Sequence, residues 1–153
     1  MDVTTSSKIA SVKIRSATAE DYPHILAVWN ACGLGISADG RDGAESFERQ
    51  LAQFRDLYLV ATDADRIIGV VLGTHDLRKG WINRLAVLPE YRRMGLASRL
   101  VQACDAAIRG LGIEIVTVLV EPANTASAAL FEKLGYRADV PVRYLRKLTR
   151  PGA

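Results

Sequence analysis

The stretch from Ile113 to Val120 constrains the architecture more than any other part of the chain. Its apolar residues fall at both odd and even positions, interrupted only by Glu114 and Thr117, and most of them are β-branched. A strand apolar on both parities must be covered on both faces. The expectation is a central strand in a sheet that carries helices on each side.

The rest of the chain supplies matching elements. Val12 and Ile14 alternate with Lys13 and Arg15 as a first strand. Thr18 followed by Asp21 has the spacing of a capping box, and Ile25, Leu26, Val28 and Trp29 give the ensuing helix an apolar side. Gly33 to Gly43 holds four glycines and reads as a loop, followed by a helix over about Ala44 to Phe54. Tyr58 to Ala61 and Ile67 to Gly73 form a hairpin around Asp63, Ala64 and Asp65. Trp81 to Val87 is the next strand. A long helix from Gly95 to Arg109 then buries Leu96, Leu100, Val101, Cys104 and Ile108. Thr125 to Leu134 is a short helix that Gly135 closes, and Val142 to Leu148 reads as a last strand.

At 153 residues and 49% hydrophobic content, the chain has the size of one domain, expected over residues 12–150 behind a flexible tail at 1–11. No run approaches the ~20 apolar residues of a membrane-spanning helix. The first residues lack the apolar stretch of a secretory signal. Cys32 and Cys104 show no metal-ligand spacing, so the expectation is a reduced, cytoplasmic protein with no structural metal. Charge is unevenly placed: 7 basic and 11 acidic residues up to Leu77, then 13 basic and 6 acidic. Such asymmetry suits an anionic ligand on one side and a cationic one on the other, and equally fits a solvated surface. The 15 arginines are scattered, which speaks against nucleic acid.

Chemistry concentrates between Leu85 and Ser98. A buried strand enters a short loop and then a long helix whose first turn has small residues. The first N–H groups of a helix lack intrahelical partners and lie at the positive end of its dipole. Gly95 and Ala97 let a phosphate approach them, Ser98 adds a hydroxyl, and Arg92 and Arg93 add charge. The same run also satisfies the needs of an ordinary β–α turn.

Arg92 to Ala97, R-R-M-G-L-A, resembles the [QR]-x-x-G-x-[GA] signature of the GCN5-related N-acetyltransferase (GNAT) superfamily. Downstream, Asn124, Ala128, Leu130, Glu132, Lys133, Leu134, Gly135 and Tyr136 are similar to a second segment of that family, and Ile14, Arg15, Ala17, Thr18 and Asp21 to its opening. The likeness runs from Val12 to Leu148 and is strongest to the small bacterial branch that includes YpeA and the ribosomal-protein alanine acetyltransferases. It implies an α/β, layered α+β fold. The mixed, mostly antiparallel sheet would have about six to seven strands, splayed between the fourth and fifth, with helices on both faces. It further implies that acetyl-CoA lies between the strands Trp81–Val87 and Ile115–Glu121. Leu85, Ala86 and Val87 would pair with the pantetheine amides, and Arg92, Arg93, Met94, Gly95, Leu96, Ala97 and Ser98 would surround the pyrophosphate. Asn124 would bond the pantetheine arm, and Phe131 would lie near the sulfur. The acceptor would be an amine of a small molecule or of a protein or peptide, and homodimers are common among such proteins.

Two departures qualify the likeness. Phe131 stands where the family commonly has a proton-donating tyrosine, and Tyr136 falls on a position that is normally core. Leu119 and Trp81 stand at familiar base positions. Glu121, two residues beyond Leu119, is the remaining candidate base, acting through water, and a solvent-exposed strand-end carboxylate is its alternative role. Direct attack needs little acid help, because a thiol of pKa near ~8.5 leaves readily. His24 and His75 read as structural, with His75 beside Asp76 the outside alternative for chemistry. Tyr22 and Trp29 read as packing, with a first helix that borders the acceptor site as the alternative. Cys104 reads as core, and one of Asn83 and Arg84 as facing the acceptor. The alternative to an acetyltransferase is a catalytically weak CoA-binding sensor or partner-binding protein.

Overall fold

The computed structural model describes residues 9–153. Residues 1–8 of the expected tail lie outside them. Within the tail's remainder, Val12 N–H donates to the Ile9 carbonyl at 3.1 Å and the Ser11 hydroxyl to Asp63 at 3.1 Å.

Five strands form one sheet in chain order: β1 (Lys13–Ser16), β2 (Tyr58–Asp63), β3 (Arg66–His75), β4 (Lys79–Val87) and β5 (Ile115–Val118). The first four pair antiparallel and β4 pairs with β5 in parallel. Four α-helices accompany them: α1 (Tyr22–Ala31), α2 (Ala44–Phe54), α3 (Leu96–Arg109) and α4 (Thr125–Lys133). The β2–β3 turn is two residues, since Asp63 pairs with Arg66, and Ala64 takes a φ of 51° to close it.

Helices cover both faces. A Cβ on Gly69 or Gly73 of β3 would meet Leu100 or Cys104 of α3 at 3.0 and 2.7 Å. The two glycines therefore let α3 lie close on the sheet, and its stripe from Leu96 to Ile108 is buried as its spacing predicts. On the opposite side, Tyr58 pairs with Leu72 and meets Phe47 of α2 edge-on at 5.2 Å between ring centroids. Burial holds the Tyr58 hydroxyl well above the ordinary phenol range. Buried under α3, the Cys104 thiol is likewise pushed up to about 12.

Two expectations about the sheet need correction. The strand read as central is the edge: β5 has four residues, pairs among the described residues only with β4, and leaves Ile115 51% exposed. Val142 to Leu148 forms no strand, so the described sheet has five strands rather than six to seven. A strand requires a ladder partner, and this segment hydrogen-bonds to none, leaving Val142 and Leu145 73% and 87% exposed. The chain end turns instead to the Gly33–Gly43 loop. Arg150 donates to the Asp39 carbonyl at 2.6 Å, and the Ser37 hydroxyl donates to the Gly152 carbonyl at 2.9 Å.

The expected capping box joins β1 to α1. Thr18 N–H donates to Asp21 Oδ2 at 2.8 Å, in a 3-10 turn over Ala19–Asp21 that leads into α1. Arg15 grips the same carboxylate with both terminal nitrogens, at 2.7 and 3.0 Å. The Arg15 hydrogen bond is the main reason that the Asp21 carboxyl lies below the usual range. Asp21→Asn should lower unfolding free energy by about 2 kcal/mol at pH 7, as for a charge-assisted, partly buried network. Because the folded-state pKa is depressed, this contribution is full above the ordinary carboxylate range. It disappears as pH falls through the lowered value. Urea midpoints of wild type and variant should therefore diverge at neutral pH and converge in acid; a gap that persists in acid contradicts the assignment.

Candidate active site

The sheet opens between β4 and β5. Their register runs from Lys79 opposite Ile115 to Ile82 opposite Val118, and the Thr117 hydroxyl adds a bond to the Gly80 carbonyl at 3.0 Å. Beyond Ile82, β4 continues for five residues without β5 beside it. Its other edge stays paired, with Ala86 opposite Val70 and Val87 opposite Gly69. Leu85, Ala86 and Val87 thus have one backbone edge turned away from β3 with no strand beside it among the described residues. The Val87 carbonyl is already engaged, accepting from Arg92 Nε at 3.0 Å and from Cys32 Sγ at 3.3 Å.

β4 also carries a bulge. Asn83 pairs with Leu72 and Ala86 with Val70, so Arg84 and Leu85 together oppose the single residue Val71. Arg84 adopts a φ of 54°, the left-handed conformation that an extra residue in one strand can require. Asn83 is tied sideways, its side-chain amide donating to the Thr74 hydroxyl at 3.1 Å. Arg84 is therefore the one of the pair that reaches toward α1 and the loop, where its guanidinium stacks over Trp29 at 4.1 Å.

After β4, the segment from Arg92 to Ser98 turns into α3. Arg93 has a φ of 60° and Gly95 a φ of 78°. A Cβ on Gly95 would meet nothing within 4 Å. The position thus requires glycine for its backbone angle and leaves open space in front of it. No side chain caps α3. The first N–H to reach a carbonyl is that of Arg99, bonded to Gly95 at 3.1 Å. Those of Leu96, Ala97 and Ser98 have no partner among the described residues, and they project from the positive end of a 14-residue helix. Arg92 and Arg93 are exposed beside them and Met94 is partly buried.

The remaining expected residues are less uniform. Asn124 caps α4, its side-chain oxygen accepting from Ser127 N–H at 3.1 Å, which leaves the amide nitrogen available. Phe131 is 4% exposed and packs edge-on against Tyr136 at 5.1 Å. The Tyr136 hydroxyl donates to Asp105 Oδ1 at 2.8 Å, and burial together with that bond raises its pKa. Glu121 lies three residues past the end of β5 in an exposed turn, where its carbonyl accepts from Asn124 N–H at 2.9 Å. With β5 ending at Val118, strand alternation does not extend to Leu119 and Glu121.

The histidines stay apart from these groups. His24 is exposed on α1, and His75 accepts from Leu77 N–H at 3.2 Å beside Phe54. Asp76 accepts from the backbone of Arg78 and Lys79, which holds its carboxyl below the usual range as a turn residue. Among the described residues there is no cluster of metal-ligating side chains, and no helix is long and apolar enough to cross a membrane. Sequence reasoning did not single out the groups around Arg84: Asp42 of the loop and Tyr58 of β2. Four glycines marked the loop, but nothing local marked Asp42 as the residue it turns inward.

The geometry agrees with known proteins. Residues 17–136 match the sequence profile of the Acetyltransferase (GNAT) family. An acetyltransferase of Sodalis glossinidius is 29% identical over 136 residues, spanning 89% of this chain and 94% of the relative. The fold is similar to that of the paia N-acetyltransferase from Thermoplasma acidophilum, solved in complex with coenzyme A. That match has a TM-score of 0.72 and 19% identity, and covers 83% of this chain and 90% of the other. It is also similar to the ribosomal-protein-S18-alanine N-acetyltransferase from Escherichia coli, with a TM-score of 0.68 and 20% identity over 81% of this chain and 76% of that one. With the family profile spanning most of the sheet and the uncapped turn into α3, the chain belongs to the GNAT family of acetyltransferases and is an N-acetyltransferase.

Proposed function

We propose that the chain transfers acetyl from acetyl-CoA to an amine of a small molecule or of a protein or peptide, in one direct attack. The observation that carries this reading is the uncapped first turn of α3 beside the parted strands β4 and β5. An anionic pyrophosphate would satisfy the N–H groups of Leu96, Ala97 and Ser98, with Arg92 and Arg93 neutralising charge and Gly95 leaving room. The pantetheine arm would lie along Leu85, Ala86 and Val87 as an added strand does, with the Asn124 amide nitrogen and Phe131 flanking it.

In the transfer, the amine nitrogen forms a bond to the thioester carbonyl carbon. The C–S bond breaks with its electron pair on sulfur, and one proton passes from nitrogen to water. Positioning supplies most of the rate, since well-oriented reactants gain a larger factor than the ~10²–10⁴ typical of acid–base help. Glu121 is the group we assign to relay the nitrogen proton through water. Tyr136 is excluded as the acid because its hydroxyl is committed to Asp105 and its pKa is raised. The two unpaired cysteines accord with work in the reducing cytoplasm.

Gly95→Val places a β-branched side chain both at a left-handed φ and in the space proposed for phosphate. It should weaken coenzyme A by about tenfold or more by isothermal titration, with a stability cost of about 1–2 kcal/mol from the backbone. Unchanged affinity in a folded variant would remove the phosphate from this turn. Acceptor-dependent release of CoA thiol across a panel of amines and N-terminal peptides tests the transfer itself. Tyr136→Phe should leave that turnover within about threefold, because no proton is asked of it. CoA binding without release above a no-acceptor control, across the panel, would instead favour a sensor.

A further inference from the structure

Behind the bulge of β4 lies a set of buried polar atoms that lack hydrogen-bond partners among the described residues. Arg84 Nε and Nη2, the Trp29 indole Nε1 and the Tyr58 hydroxyl are all buried without a hydrogen-bond partner. Trp29 and Tyr58 are 2% and 0% exposed. The groups belong to one neighbourhood, because Arg84 stacks on Trp29 and its charge is felt at the Tyr58 hydroxyl.

The loop between Gly33 and Gly43 closes over this set and half satisfies it. Arg84 Nη1 donates to the Gly35 carbonyl at 2.9 Å. Asp42, only 7% exposed, is the nearest carboxylate, but its Oδ1 stops 3.6 Å from Nη2, beyond hydrogen-bond reach. Its Oδ2 accepts from Ser37 N–H at 2.8 Å, and its backbone carbonyl accepts from the Tyr22 hydroxyl at 2.9 Å. Arg41 adds a second cation, 3.8 Å from Asp42. Two guanidinium groups thus share one carboxylate, leaving a net positive charge.

The orphaned atoms of Arg84 have a specific geometry. Nε and Nη2 form one side of the guanidinium fork and present two parallel N–H groups. That edge matches the two oxygens of a carboxylate. The indole N–H of Trp29, whose ring Arg84 stacks on, and the Tyr58 hydroxyl are further buried donors without partners. Leaving such groups unpaired in a folded interior is costly, and they are held there by a left-handed arginine in a bulge. Strain and missing partners together point to a ligand site.

We propose that Arg84, with Trp29 and Tyr58, binds the carboxylate of the acceptor, and that the acceptor is an α-amino acid. The proposal rests on the acetyltransferase reading and deepens it. Arg84 directly precedes Leu85, Ala86 and Val87, so a carboxylate held on its fork keeps the adjacent α-amine beside the stretch proposed for the thioester. The carboxylate takes no part in the bond changes. The C–N bond forms, the C–S bond breaks with its electron pair on sulfur, and the nitrogen proton passes to water.

The test reads binding directly, through the Trp29 indole N–H in ¹⁵N-labelled protein, assigned with Trp81→Phe. Titration with the common L-α-amino acids, each beside its α-carboxamide, is run with and without CoA. The expected result is a saturable downfield movement with at least one amino acid, at least about tenfold tighter than with its amide, as expected of a site built around hydrogen bonds. Arg84→Lys keeps the charge but loses the fork, and should weaken that binding about tenfold while leaving CoA affinity unchanged. No saturable movement with any amino acid, or equal affinity for acid and amide, overturns the carboxylate site. So does Arg84→Lys binding as tightly as wild type. Thiol release with other amines would meanwhile leave the transferase standing, whereas absent CoA binding would remove the transferase and not this result.

Discussion

The structure turns on the two unequal edges of β4. A backbone N–H or carbonyl taken out of water needs a partner, and β4 finds partners along β3 through Val87 but along β5 only as far as Ile82. Past Ile82, β4 presents an edge with no strand beside it among the described residues. The bulge at Arg84 and Leu85 and the end of β5 at Val118 keep the two strands from pairing further. The turn into α3 that follows β4 carries unpartnered N–H groups. A flexible, amide-bearing chain with an anionic head meets both requirements at once.

The proposed acceptor side follows the opposite logic. On the proposed cofactor side the free donors are backbone, and their cost is modest because they are near solvent. Around Arg84 the free donors are side chains in the interior, where an unpaired N–H or O–H is expensive. The loop from Gly33 to Gly43 reduces that cost through Gly35 and Asp42 without removing it. The chain end, bonded to Ser37 and Asp39, adds a second hold on the same loop. The proposed acceptor site and the loop position are therefore linked through a few named bonds.

How much of this was legible in the sequence depends on how local the determining signal is. The capping box at Thr18 and Asp21, the α2 boundaries at Ala44 and Phe54, and the turn at Ala64 are decided within a few residues, and the sequence reads them correctly. So is the glycine at position 95, where one backbone angle and one open space select the residue. The family likeness places β5 beside β4, as found, but the expectation of a central strand fails. An apolar run says that a segment prefers cover, not that it has a neighbour on each side, and Ile115 ends up on an edge. Val142 to Leu148 shows the same limit, because alternation without a partner makes no ladder. The bulge at Arg84 depends on the register of two strands, and Asp42 reaches it only through the tertiary fold.

The departures at the catalytic positions have their cause in packing. Phe131 is core, set edge-on to Tyr136, and the Tyr136 hydroxyl serves α3 through Asp105. On the proposed reading, a fold that uses its aromatic groups this way would rely on holding two reactants together more than on moving protons. The central claim is that the α3 turn and the free edge of β4 bind one ligand. Amide hydrogen exchange with and without CoA tests it most directly. Slowed exchange is expected at Leu96, Ala97 and Ser98 and along Leu85 to Val87, at one common CoA concentration dependence. Slowing confined to other segments, or none at saturating CoA, would contradict it.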